Sequence, residues 1–129
     1  MSEALVEITR AESLLSNWKY LPGSQIKILV SHLINALDAV ASYAFNEPTT
    51  IERAYLTLSS VRLFDDTKIE VEFYDTYFFL KNLLRRNIER VNPDTVRVIG
   101  VKQVFLADRD YFDELIGTVR EVVNEAFKT

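Results

Sequence analysis

Apolar residues along the chain recur at the spacing of amphipathic helices. Near the N-terminus they are separated by one, three or four positions, which places them on one face of a helix. These residues are Ala4, Leu5, Ile8, Ala11, Leu14, Leu15 and Trp18. The Leu21–Ser24 stretch that follows ends the helix, because it contains adjacent proline and glycine residues.

A second helix is predicted from Ser24 to about Phe45, and it is apolar around most of its circumference. We therefore expect it to be the central and most buried helix. Its polar residues recur at steps of four, four, three and four, and they form one narrow stripe of Lys27, Ser31, Asn35, Asp38 and Ser42. His32 lies beside this stripe.

The same periodicity predicts three more helices. The apolar face of the third consists of Ala54, Tyr55, Leu58, Val61 and Phe64. The face of the fourth consists of Ile69, Phe73, Tyr77, Leu80, Leu84, Ile88 and Val91. The face of the last consists of Leu115, Val119, Val122, Val123 and Ala126.

Residues 95–107 fit two interpretations. Their β-branched residues and Gly100 are typical of strands and turns, whereas Val98, Val101, Val104 and Phe105 share one helical face. We favour a helix. The predicted fold is then all-α, an antiparallel up-and-down bundle of about five helices, and residues 1–129 form a single domain because no linker or repeat interrupts them.

Composition narrows the chemistry. The 129 residues include no cysteine and one histidine, which excludes disulfides, thiolate catalysis and sites that need several histidines. The net charge of −4 argues against sequence-blind binding of a phosphate backbone. The N-terminus does not resemble a signal peptide, and the apolar segment 26–45 contains four polar groups that a membrane span would rarely hold. We expect a soluble, cytoplasmic protein without membrane contact; the lack of cysteine would also suit a heat-adapted host.

The alanine-rich stretch 33–45 and the stretch 111–116 before the last helix resemble the layout of the HEPN superfamily. HEPN proteins are small helical domains of prokaryotes, many of them archaeal. Many are RNases or toxins, and others are inert partners of minimal nucleotidyltransferases. Their nuclease signature is an arginine followed, after four to six residues, by a histidine. Arg86-Asn87 resembles its opening, but no histidine follows in 90–93, so the resemblance implies a non-catalytic member.

A basic cluster is the first candidate site, and it consists of Lys81, Arg85, Arg86, Asn87 and Arg90. Two adjacent arginines could bind a phosphate of RNA or of a nucleotide. The alternative interpretation is that these cations stabilise the carboxyl end of a helix, where the dipole is negative.

The polar stripe of the second helix is another candidate. Asn35 and Asp38 could orient a small ligand in a pocket, with His32 as a titrating group. The alternatives are a solvent-facing seam and a satisfied network of hydrogen bonds.

An aromatic run on the fourth helix, formed by Phe73, Tyr74, Tyr77 and Phe78, is too wide for one core-facing stripe. It predicts a subunit interface, with an aromatic core as the alternative. The sequence contains no Glu-x-x-His pair and no glycine-rich phosphate loop, so we expect no metal, no cofactor and no catalytic residue.

The leading hypothesis is a non-catalytic, HEPN-like bundle that acts through association. It would form a homodimer or bind a protein partner, in a toxin–antitoxin or nucleotidyltransferase module. The alternatives are a protein that binds RNA or a nucleotide through Arg85 and Arg86, with weak RNase activity in its strongest form, and a small-ligand bundle. RNA is the less favoured partner because of the net negative charge.

Overall fold

A computed structural model describes residues 2–58, 64 and 66–127 of the chain. Within these residues the helices are α1 (Ser2–Leu15), α2 (Gly23–Phe45), α3 (Ile51–Leu58), α4 (Thr67–Leu84) and α5 (Arg109–Ala126), and a 3-10 helix spans Trp18–Tyr20. The strands are β1 (Asn87–Arg90), β2 (Thr95–Ile99) and β3 (Val104–Asp108). The fold is therefore mixed α+β, and the prediction of an all-α bundle is wrong.

The three strands form one antiparallel sheet in the order β1-β2-β3. In β2, Val96 and Val98 point inward and are fully buried, while Arg97 between them is exposed. The backbone N–H of Gly100 donates to the Gln103 carbonyl at 2.7 Å and closes the turn between β2 and β3. Residues 95–107 are thus two strands and a turn, because the period of two determines which valines are buried.

The fourth helix is also shorter than its apolar pattern predicts. It ends at Leu84, where the N–H groups of Arg85 and Arg86 donate to the carbonyls of the preceding turn. Ile88 is still buried, but it reaches the core from β1, and Val91 is half exposed. A continued helix and a strand would both bury Ile88, so the spacing of apolar residues alone does not distinguish a helix from a strand at this position.

The central position of α2 is confirmed. Nine of its 23 residues are buried, and it contacts α1, α3, α4, α5 and β1. The helix is long enough to cross a membrane, and its most apolar stretch has a mean hydropathy of 1.4. This is weak evidence for a membrane span, because the core helix of a soluble protein has the same length and composition. The apolar character of the helix is explained by the layers that pack around it.

Both ends of α2 position other elements. At its start Gly23 lies so close to β1 that an added Cβ would be 1.7 Å from the carbonyl oxygen of Ile88. At its end Asn46 adopts a left-handed conformation with φ of 54°, which asparagine tolerates better than most residues. The close contact at Gly23 fixes the sheet against the first turn of α2.

Part of the predicted third helix lies outside the described residues, including Val61. Phe64 is buried, and its ring centroid lies 5.3 Å from that of Phe73 on α4.

Candidate functional site

A surface cavity of about 750 Å³ lies where the end of α4 meets the turn between β2 and β3. It is lined by nine residues, namely Asn82, Arg85, Arg86, Asn87, Ile99, Gly100, Val101, Lys102 and Gln103. Three of the adjacent residues predicted to contact phosphate are among them, and Lys102 from the turn faces them. The fold thus combines two segments that are separated in sequence into one basic surface.

Each wall of the cavity follows from the local structure. The last turn of α4 and the first residue of β1 hold Arg85, Arg86 and Asn87 together. Gly100 gives Arg86 room to lie over the turn, because a Cβ at Gly100 would be only 2.8 Å from Nη1 of Arg86. A larger residue at this position would displace the guanidinium group.

The two arginines are available to a ligand. Among the described residues neither guanidinium group has a carboxylate within salt-bridge distance, whereas five other cationic side chains, including His32, do. Arg85 is exposed and Arg86 is half buried. Burial raises the pKa of the nearby Tyr111 hydroxyl, and the charge of Arg86 opposes that shift. An unpaired, partly desolvated guanidinium is well suited to a charge-assisted bond with an anion.

The cavity is locally positive although the chain is acidic. Its nine lining residues include three cations and no carboxylate, imidazole or thiol. The carboxyl end of α4 adds a partial negative charge, which the neighbouring arginines offset. The side chains therefore offer anion binding, and the amides of Asn82, Asn87 and Gln103 add hydrogen-bond donors and acceptors.

Lys81 and Arg90 do not line this cavity. Nζ of Lys81 lies 3.0 Å from Glu52 Oε2 and joins α4 to α3. The guanidinium group of Arg90 donates to the carbonyl oxygens of Leu21, at 2.8 and 3.1 Å, and of Trp18. It also donates to those of Asn92 and Pro93, and burial lowers its pKa. Both groups are engaged within the protein.

Comparison of the chain with protein-family models, curated proteins and solved structures gives no match. The resemblance to HEPN proteins therefore stays a prediction. In the region where it suggests a nuclease motif, Arg86 follows the end of α4 and Asn87 begins a strand.

The predicted pocket on α2 is an open groove. Asn35 and Asp38 line a surface cavity of about 460 Å³ between α1 and α2, together with Glu7. Nδ1 of His32 lies 2.6 Å from Oε2 of Glu7, so the imidazole is paired with α1. Asp38 accepts a hydrogen bond from the N–H of Ile51 at 2.8 Å, which fixes the start of α3.

Burial raises the pKa of the Asp38 carboxyl, while the Ile51 N–H, the Tyr77 hydroxyl and the charge of Lys81 lower it. The carboxylate thus stands at the junction of α2, α3 and α4. Since its bonds are made within the chain, its first role is to hold α3 in place.

The predicted aromatic interface is divided between the core and the surface. Phe73 and Tyr77 are almost fully buried, so they belong to the core. Tyr74 and Phe78 are partly exposed, and their rings lie 5.5 and 5.3 Å from that of Tyr55 on α3. Burial raises the pKa of Tyr74 to about 12, and its buried hydroxyl has no hydrogen-bond partner among the described residues.

Sequence reasoning missed Asn82, Lys102 and Gln103 as members of the basic cavity. Its omission of Lys102 follows from the helix predicted over residues 95–107. A hairpin interpretation would have used Gly100 as a turn signal and brought Lys102 to the end of the sheet.

Proposed function

We propose that the protein binds phosphate groups of RNA or of a nucleotide in the basic cavity. The observation that carries the proposal is a pair of guanidinium groups, Arg85 and Arg86, that have no carboxylate within salt-bridge distance among the described residues and lie opposite Lys102. Adjacent arginines suit the geometry of phosphate oxygens, and a lysine adds a mobile point charge.

The cavity supports binding rather than cleavage. The single histidine of the chain is His32, which is paired with Glu7 on the α1 side of α2. General acid–base cleavage of RNA needs titratable groups within reach of the phosphate, and the cavity lining holds amides and cations instead. We therefore propose a binding protein, in which the amide side chains contact sugar or base.

Fluorescence anisotropy with labelled single-stranded RNA over a salt series tests this proposal. We expect micromolar binding that weakens with salt, with a log–log slope of roughly −0.7 for each phosphate contacted. Arg85→Ala/Arg86→Ala should abolish it. The matched control is Lys19→Ala/Arg109→Ala, which removes the same charge from a separate cavity near Trp18.

Gly100→Ala provides a gentler variant. The added methyl group would displace Arg86 while leaving the fold intact, because it meets mainly the end of a flexible side chain. We expect weaker RNA binding and a stability within about 1 kcal/mol of the parent. A mononucleotide and inorganic pyrophosphate, used as competitors, distinguish a nucleotide site from an RNA surface. Equal binding by the parent and the double arginine variant would refute the proposal.

A second candidate function is self-association. The specific observation that favours it is a pair of exposed apolar side chains, Val104 and Leu106, on the edge strand β3, which pairs only with β2 among the described strands. Large exposed apolar groups on an edge strand are typical of pairing surfaces.

A further inference from the structure

The two edges of the sheet differ in how they are protected. The β1 edge is met by the first turn of α2, where Gly23 lies against the Ile88 carbonyl, and its outward side chains are Asn87 and Glu89. The β3 edge is hydrogen-bonded only to β2 among the described strands. Its outward side chains, Val104 and Leu106, are 59% and 66% exposed. Charged residues, prolines or bulges usually protect such an edge, and β3 has none at these two positions.

The backbone of β3 also presents a regular pattern. Because Gly100 N–H bonds to Gln103 at the turn, the alternation of an antiparallel pair makes Phe105 and Ala107 the residues bonded to β2. The N–H and C=O groups of Val104 and Leu106 then point away from β2, toward the open side. The same two residues thus offer both backbone groups and apolar side chains.

We infer that β3 pairs with β3 of a second copy of this chain, antiparallel about a two-fold axis at Phe105. In this register Val104 lies opposite Leu106 of the other copy, and by symmetry Leu106 lies opposite Val104 of the other copy. Lys102, in the turn just before β3, comes near Asp108 of the other copy, again twice. Apolar side chains meet apolar ones, and the lysine of each turn comes near an aspartate of the other copy, so the edge is complementary to itself.

A shift of the axis by one residue removes this match. With the axis at Leu106, Val104 would lie opposite Asp108 of the other copy. An apolar side chain would then cover a carboxylate that already accepts a hydrogen bond from Tyr111 N–H at 3.1 Å. The register with the axis at Phe105 is therefore favoured. The charged groups contribute more to the choice of this register than to the affinity of the dimer.

The dimer would contain one continuous six-stranded sheet. The solvent-facing sides of the two three-stranded halves would lie on the same side of it. Ile99, Val104 and Leu106 from both copies would form one apolar strip across the two-fold axis. One strand pair is smaller than the roughly 1,200–2,000 Å² of a stable interface, so we expect a weak, concentration-dependent dimer. The inference is argued without the phosphate site, since Arg85 and Arg86 stay accessible in it, and the two surfaces share only Lys102.

Sedimentation equilibrium of the full chain, up to about 1 mM protein, tests the association. We expect a monomer–dimer equilibrium that Leu106→Lys abolishes without loss of helical circular dichroism, because this side chain is mostly exposed. The matched control is Val91→Lys, which introduces the same charge at a half-exposed position beside the opposite edge of the sheet. It should leave the dimer unchanged.

Amide hydrogen exchange by NMR locates the interface. Exchange at Val104 and Leu106 should slow as the protein concentration rises, while Phe105 and Ala107 are slow at all concentrations because they bond to β2. A protein that remains monomeric over this range would overturn the inference. So would a dimer that survives Leu106→Lys, or one whose concentration-dependent protection lies on α4 rather than on β3.

Discussion

Arg90 joins two segments of the chain, 18–21 and 92–93, through one guanidinium group, whereas the guanidinium group of Arg86, four residues earlier, has no hydrogen-bond partner among the described residues. The difference follows from their positions, because Arg86 lies in the bend before β1 and Arg90 is the last residue of that strand. Arg90 reaches the 3-10 helix and the turn after β1, and Cζ of its guanidinium group lies 4.4 Å from the centroid of the Trp18 ring. The indole N–H of Trp18 in turn donates to the Asp94 carbonyl at 3.2 Å. Formal charge therefore does not distinguish a binding arginine from a structural one.

Arg90→Ala should destabilise the protein by roughly 2–3 kcal/mol, because several carbonyl groups lose a charged donor. Arg90→Lys should recover only a small part of that loss, since an ammonium group cannot bridge carbonyls on both segments or stack on Trp18 in the same way. Urea denaturation measures both changes. Arg97→Ala is the control; it breaks an exposed pair with Glu89 and should cost less than about 1 kcal/mol. Similar losses for Arg90→Ala and Arg97→Ala would contradict this role.

Asp38 should make stability depend on pH. Burial raises its pKa in the folded protein, so the folded state binds this proton more tightly than the unfolded chain. The contribution of Asp38 to the free energy of unfolding is therefore fully present below its pKa in the unfolded chain, about 3.9, and it is lost as pH rises through the raised pKa of the folded state. Relative to Asp38→Asn, the parent protein should lose stability from pH 4 to pH 7.

The side-chain amide introduced by Asp38→Asn can still accept the Ile51 N–H, so the comparison isolates the charge. Glu52 has the opposite tendency, because its hydrogen bond with Lys81 lowers its pKa, but it is present in both proteins and cancels. Urea midpoints at several pH values give the result. Asp113→Asn, at an exposed position on α5, controls for the change in net charge. Parallel pH profiles for the parent and Asp38→Asn would show that the carboxyl is not desolvated.

At the scale of elements, the contact between α2 and β1 fixes the sheet and with it the basic cavity. Gly23→Ala would place a methyl group 1.7 Å from the Ile88 carbonyl oxygen, so backbone must move. We expect a loss of at least ~1–3 kcal/mol. Gly117→Ala on α5 is the matched control, since its Cβ meets nothing within 4 Å. It should instead stabilise the helix by roughly 0.5–1 kcal/mol. Thermal unfolding of both variants decides the matter.

The helices could be predicted from the sequence further than the strands could. The stripes of α1 and α5 are long enough for their period of 3.6 to be unambiguous, and Ala4 and Val119 are buried as expected. β1 spans only Asn87–Arg90, and its buried Ile88 continues the stripe of α4 in phase. β2 also satisfies a helical face over part of its length. Short strands next to helices therefore carried too few positions to reveal their period.

At the scale of the whole molecule, the candidate site is built from a helix end and a turn that tertiary structure brings together. The Arg85-Arg86-Asn87 part could be found because adjacent arginines are visible in the sequence. Lys102 could not be placed, because its position depends on the β2–β3 hairpin. Spacing alone groups Arg90 with the site, but the carbonyl groups that bind it come from other segments. The local sequence pattern thus identifies three of the nine residues that line the site.

The two proposals predict a coupling between ligand and dimer, because Lys102 lines the basic cavity and also faces Asp108 of a second copy in the inferred register. A phosphate ligand that engages Lys102 would weaken both intermolecular pairs, and by linkage the dimer would weaken phosphate binding equally. Exposed pairs contribute little, so saturating pyrophosphate should raise the dimer dissociation constant by about 2- to 10-fold. Sedimentation at matched ionic strength measures this, and Lys102→Ala should remove the effect while preserving a weaker dimer. If pyrophosphate binds and the dimer is unaffected, Lys102 does not serve both surfaces, and the coupling is refuted.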